Sequence, residues 1–361
     1  MNSSIPENTS KRITSLRFLL ACLVVFIHNT LPSINDGGGQ LYSYHWIKQL
    51  ISVGLGCSAV PLFFTFSAYL QAKKSLSYPK LLKKRAKSIL LPYILWIFIY
   101  LIYELFGKLF ISKIMPSALS ETYKPIQEWT FIDYIVKIFG YGKRLCIADT
   151  DNPGVAGQFW FMRDLMILII ISPLLTYCIK KIPTALFALI LILSFLNTDL
   201  IFVSNSALLF YLIGLYWGTY DIPLLEKIDC IHWYEIVSLF LLALLAFSTI
   251  FSNNALISSV LVIFSATLIL KVSATLILKE STFQALYFLS KFSFFLYAIH
   301  LPIVLAVIKT LWCRIIPLTN SFFCLLEYFG VSFITIILGT ALAMFLKRIC
   351  PNLFGLLNGG R

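Results

Sequence analysis

Two residues in the stretch Lys11 to Asn29, KRITSLRFLLACLVVFIHN, sit where an apolar segment gives them no reason to be: Arg17 near its start and His28 deep inside. An ionisable side chain inside a membrane helix costs a few kcal/mol, so one kept there marks a functional site by default. The two are eleven positions apart, about three helical turns, so they share a face and lie about 16 Å apart along the axis. That face offers a cation near one membrane surface and an imidazole well inside, suited to anchoring an anionic group and to moving a proton or an acyl group. The plainer alternative is an arginine that snorkels to the headgroups and a histidine that only packs against a neighbouring helix.

Other chemistry-bearing residues fall into two groups. His300 lies in SKFSFFLYAIHLP, and QFWFMRDL opens another apolar stretch with Trp160, Arg163 and Asp164. Depth counted from the stretch boundaries puts His28 about fifteen and His300 about seventeen residues above the inner face, with Arg163 and Asp164 about five or six below the outer one. At about 1.5 Å per residue, all four reach the outer half of the bilayer. Charges at that depth pair with one another or line a watery cavity. The expectation is an outward-opening acceptor chamber at Trp160, Arg163 and Asp164 with the histidines in or near it, unless Arg163 and Asp164 merely cap their helix.

At the inner face, Arg17 joins the run Lys83, Lys84, Arg85 and Lys87, a set fit to hold phosphate groups, although a basic loop there also serves topology and lipid headgroups. Coenzyme A has the matching shape, with phosphates at one end and a thioester at the other. A neutral imidazole would take the proton of an attacking hydroxyl, or become transiently acylated itself. The sequence shows no metal cluster, no G-x-S-x-G elbow and no P-loop.

The elements that must position these residues are membrane helices. With 59% hydrophobic and 12% charged residues among 361, there is too little polar surface to cover a soluble globule. About ten stretches reach the roughly 20 apolar residues a span needs, which predicts an all-α polytopic membrane protein and leaves no room for a separate soluble enzyme. The net charge of +13 suggests nucleic acid, but Lys and Arg cluster in alternate loops as topology requires, so no nucleic-acid partner is expected. The seven cations from Lys73 to Lys87 put that loop, and both termini, in the cytoplasm.

The expected order is a cytoplasmic tail at 1–12, a transmembrane domain at 13–348 and a cytoplasmic tail at 349–361. No cleavable signal is expected, because the first apolar stretch is too long and lacks a small-residue cleavage site. The segment 111–157 falls outside, and in it Phe131 to Phe139 predicts a short amphipathic helix lying over the site. The direct duplication SATLILK, at Ser265 to Lys271 and Ser273 to Lys279, blurs the end of the eighth span. The eight cysteines mostly lie in apolar spans and have no metal-ligand spacing.

Five motifs in order resemble the acyltransferase-3 family of integral-membrane acyltransferases, which O-acylate bacterial surface sugars and related acceptors. RITSLRFLLACLVVFIH resembles the family's first-span signature, PLFFTFSAYL its second-span motif with Ala68 for the usual glycine, and KKRAKSILLPYILW its basic run before span three. There the second of two arginines is replaced by Ser88, with Lys87 beside it. FWFMRDL and FSFFLYAIH resemble the span-four and late-span motifs. The resemblance implies an acyl-CoA donor, acetyl-CoA in the simplest case, no metal, His28 as the essential histidine, and Arg17 with Arg85 and Lys87 near the donor. The acceptor is then a surface glycan or lipid-linked sugar, the address the bacterial cytoplasmic (inner) membrane, and the reaction O-acetylation or a close relative. The alternative from another class is a transporter or flippase of polysaccharide intermediates, which would also wrap many spans around a polar chamber.

Overall fold

The computed structural model describes residues 5–31, 42–74, 76–114, 129–139, 156–196, 203–249 and 255–360. Cys146, the NDGGGQ turn, the Ser252 to Asn254 turn and most of the 111–157 segment lie outside the described residues. All regular structure among the described residues is helical. Five of its helices are long and apolar enough to cross a membrane, and two bent helix pairs raise the number to seven if each pair is one span.

In chain order the helices are α1 (Glu7–His28), α2 (Ser43–Ala72) and α3 (Tyr78–Leu105), and α4 (Phe131–Phe139). Then come α5 (Gly157–Ile170) and α6 (Ser172–Lys181), bent by 64°, and α7 (Pro183–Phe195). Next, α8 (Asn205–Thr219) and α9 (Leu224–Cys230) are bent by 102°, followed by α10 (Trp233–Thr249) and α11 (Ala255–Leu276). Last come α12 (Glu280–Ser290), α13 (Ser293–Ile315) and α14 (Ser321–Ile349), and α15 (Pro351–Leu357).

Helix α1 occupies the centre. It packs against α2, α11, α12, α13 and α14, and Ile13, Leu16, Leu20 and Val24, spaced three or four apart, are buried as one helical stripe requires. Protein on most sides, rather than lipid, is what lets this helix carry Arg12 and Arg17 at all. Arg12 is fully buried and spent: its guanidinium grips both oxygens of Asp229 on α9, at 2.7 and 3.1 Å, and donates to Ser273 Oγ at 2.8 Å and the Leu270 carbonyl at 2.5 Å. Lys271 finishes the corner by donating to the carbonyls of Asp229 and Ile231.

The duplicated segment thus has a structural use. Its two leading serines, Ser265 and Ser273, both face inward, one bonded to Ser58 Oγ at 3.0 Å and the other to Arg12. Helix α2 lies closely on α8, where a side chain at Gly214 would collide with the Thr65 carbonyl oxygen. Small residues at a membrane-helix interface permit this approach, and Thr65 Oγ1 donates across it to the Phe210 carbonyl at 3.0 Å.

Several expected boundaries move. Helix α1 starts at Glu7, so the second half of the expected N-terminal tail is its first turns. The apolar stretch that carries FSFFLYAIH follows a separate helix, because α12 ends at Ser290 and α13 begins at Ser293 after a turn at Lys291 and Phe292. The expected C-terminal tail folds as α15 and is held by two bonds, Trp96 Nε1 to the Leu357 carbonyl at 3.0 Å and Asn358 Nδ2 to the Lys291 carbonyl at 3.0 Å. Helix α4 forms over the expected residues, with Thr130 and Asp133 capping its start and its Ile138 carbonyl bonded by Tyr93 Oη at 2.9 Å.

Candidate active site

The two histidines meet because two helices end or break beside each other. Helix α1 stops at His28, and the next residue, Asn29, is buried and ties that end to α14 by donating to the Tyr328 carbonyl and Ser332 Oγ, both at 3.2 Å. Helix α13 breaks immediately after His300, where Leu301 leaves helical geometry (φ −118°, ψ 150°). Pro302 has no N–H, so the Ala298 carbonyl four residues earlier loses its helical partner. A buried carbonyl must find another, and Tyr100 Oη (2.6 Å) and Gln158 Nε2 (3.3 Å) supply it. Gln158 Nε2 also donates to the Leu301 carbonyl at 2.5 Å, and its own backbone carbonyl accepts from Tyr297 Oη. Sequence reasoning missed Gln158; the proline after His300 was the available signal, since it predicts orphaned carbonyls in need of a donor.

This scaffold fixes the imidazoles. His300 is fully buried, and its Nδ1 lies 2.6 Å from the Tyr297 carbonyl. A carbonyl only accepts, so Nδ1 carries the proton and Nε2 the lone pair. That Nε2 lies 3.3 Å from His28 Nδ1, which is also 2.9 Å from the Val24 carbonyl. The same logic puts a proton on His28 Nδ1, shared between the two acceptors, and leaves His28 Nε2 with its lone pair. His28 is the half-buried member. The pair is therefore a buried histidine orienting a more accessible one, whose distal nitrogen is set up as a base.

A cavity of about 320 Å³ has Tyr297, but neither histidine, in its wall. Arg17, Lys74, Lys84 and Arg85 line it around the turn between α2 and α3, with no carboxylate among the lining residues. None of these four has an ion-pair partner among the described residues. Burial lowers the Lys74 ammonium below the ordinary lysine range, and Lys84, Arg85 and Arg17 push it the same way. Such uncompensated charge is a site for an anion. Beyond the cations the walls are apolar, with Phe63, Phe161, Met162 and Leu165, and they reach Tyr297, whose ring lies 6.0 Å from that of His300.

The remaining candidates stand apart from this cavity. Lys87 is exposed and does not line it, whereas Ser88 next to it does. Arg163 and Asp164 are buried against each other, with Arg163 Nη2 2.9 Å from Asp164 Oδ1, and Asp164 Oδ2 accepts from the Ser204 backbone N–H at 3.1 Å, where α8 begins. Trp160 is half-buried with its ring 6.2 Å from Phe64. The C-terminal residues Gly359 and Gly360 also line the cavity. Gly359 has φ +71°, and a side chain there would collide with the Ser88 carbonyl oxygen.

The helices and the site together define an integral-membrane protein with a cation-lined cavity whose wall includes Tyr297, the neighbour of an oriented histidine pair. An acyltransferase domain, that of the acyltransferase-3 family, matches residues 11–348, and the chain belongs to that family. It is a membrane acyltransferase acting on groups other than amino-acyl groups, and the transporter alternative falls with that finding. Over 376 aligned residues it is 24% identical to the succinoglycan biosynthesis protein ExoH of Rhizobium meliloti (strain 1021), across 98% of this chain and 93% of the relative. No solved structure matches it significantly.

Proposed function

We propose that the protein takes an acyl group, acetyl in the simplest case, from acyl-CoA on the cytoplasmic side of the bacterial inner membrane. It delivers the group to a hydroxyl of a cell-envelope polysaccharide or of its lipid-linked precursor. The observation that carries this reading is the cavity with four cations that have no ion-pair partner among the described residues and with apolar walls that reach Tyr297, the neighbour of His300. Phosphates suit the cations, and an uncharged thioester arm suits the apolar walls. The likeness to a protein named for succinoglycan biosynthesis supports a glycan acceptor. Adding α1, α7 and α10 to the long helices and the bent pairs gives ten spans, an even number that keeps both ends on one side.

In this reading His28 Nε2 accepts the proton of the acceptor hydroxyl as its oxygen bonds to the thioester carbonyl carbon. The C–S bond then breaks, and the proton passes to the departing thiolate. His300 holds the His28 ring through the Nδ1 proton, and Tyr297 and Gln158 hold His300 in turn. Membrane lipids surround the remaining helix faces.

The test is the ester content of purified envelope polysaccharides, measured by proton NMR, from cells with and without the gene. Loss of one acyl substituent, restored by the wild-type gene, is expected. Identical spectra would remove the glycan acceptor from the proposal.

A further inference from the structure

A second cleft, of about 510 Å³, adjoins the donor cavity. The two share Gln71, Lys74, Leu76 and Leu81 in their walls, so they are rooms on either side of one partition. Gln71 is fixed there by Ser172 Oγ, to which its Nε2 donates at 2.8 Å, and by Tyr211 Oη, which donates to its Oε1 at 3.1 Å. The second cleft opens between α2, α6 and α8 at the end of the bundle that carries the α2–α3 turn. Its wall includes Lys180, Thr176, Pro173 and Tyr78. Lys73, also in the wall, is paired with Asp221, which leaves Lys74 and Lys180 as the cations facing this space without an acid partner among the described residues.

Size makes the partition informative. Pockets for drug-sized ligands run from roughly 300 to 1,000 Å³, so the donor cavity alone is at the bottom of that range. It has room for an acyl-pantetheine arm, but an acyl-CoA also carries a purine, a ribose and three phosphates. Those groups must lie outside the first room, past the cations at its mouth. Lys74, common to both, stands where the phosphate bridge would cross.

We infer that this second cleft is a purine-nucleotide site and takes the adenosine 3′-phosphate end of the donor. The inference rests on the acyl-CoA reading above and adds the place and chemistry of the nucleotide half. Tyr78 supplies a partly exposed ring whose orientation is held by its hydroxyl, which donates to the Ile170 carbonyl at 2.7 Å. A fixed aromatic face beside apolar floor residues is a stacking platform for a base. Lys180, exposed on the last turn of α6, faces the 3′-phosphate.

The probes are coenzyme A, adenosine 3′,5′-bisphosphate and pantetheine, titrated calorimetrically into the purified full-length protein. The bisphosphate is expected to bind and to compete with coenzyme A. Lys180→Glu is expected to weaken the bisphosphate at least tenfold and leave pantetheine within twofold, while Lys181→Glu, beside it and outside the cleft, changes neither. Tyr78→Ala should weaken the bisphosphate, and Tyr78→Phe, which keeps the ring, should weaken it less. Equal bisphosphate binding by wild type and Lys180→Glu, or a bisphosphate that does not displace coenzyme A, would overturn the nucleotide site and leave the donor reading standing. If coenzyme A itself fails to bind wild-type protein of normal thermal stability, the donor reading fails, and the nucleotide site with it.

Discussion

Arg12 and Arg17 are five residues apart on the same helix, carry the same charge and have opposite fates. Around Arg12 every donor is answered, by Asp229, Ser273 and the Leu270 carbonyl, and Lys271 closes the corner. Around Arg17 stand Lys74, Lys84 and Arg85, with no acid partner among the described residues. The first region is charge used to hold α1 to α9 and α11; the second is charge left over for something the protein does not contain. The same contrast recurs deeper in the bundle. His300 is buried with both ring nitrogens engaged, while His28 keeps one nitrogen for a reactant.

Four substitutions would break or sharpen that contrast. The largest effect belongs to His28→Ala, which should cut acyl transfer by about 10²–10⁴-fold, the span of a lost general base, while the protein stays in the membrane at normal levels. Activity within threefold of wild type would refute the base assignment. Arg12→Ala should lower unfolding stability by about 2–3 kcal/mol, less than the roughly 3–5 for a fully buried pair because Asp229 keeps contact with water. Thermal unfolding in detergent checks it, and an unchanged midpoint would show that the corner is not structural.

Arg17→Ala should do the reverse, weakening coenzyme A about tenfold, or about 1.4 kcal/mol, with the unfolding midpoint unmoved within about 2 °C. If stability falls as much as for Arg12→Ala, the two regions do not differ in kind. Smallest is Lys87→Ala, where donor affinity should hold within about twofold, because an exposed side chain outside the cavity is worth at most about 0.5 kcal/mol. A tenfold loss there would return Lys87 to the phosphate site.

Much of this organisation is legible in the sequence, and the parts that are not have physical reasons. Helical class follows from composition, and counting depth brings His28 and His300 to a similar level, while their contact depends on the arrangement of the helices. Arg17 stands out because topology does not require a cation inside a span, whereas Arg85 belongs to a basic run that topology also explains. Depth says nothing about azimuth, however. Arg163 and Asp164 turn onto each other and onto the start of α8, contacts that a depth count does not give. Lys74 looks like any loop lysine until the α2–α3 turn brings it beside Arg85. The break between α12 and α13 falls at Ser290 and Lys291, two polar residues that a long hydropathy window averages into their apolar surroundings. Residues past the last span look like a free tail because the stretch is too short to show a periodicity; bonds from Trp96 and Asn358 and the burial of Phe354 and Leu357 hold it.

Gly359 and Gly360 sit in the wall of the donor cavity, and this has a practical side for anyone who produces the protein. If the cavity takes acyl-CoA as proposed, an affinity handle or fluorescent partner joined after Gly360 would emerge beside the donor. Such a fusion is expected to bind coenzyme A more weakly than one that carries the handle ahead of Glu7.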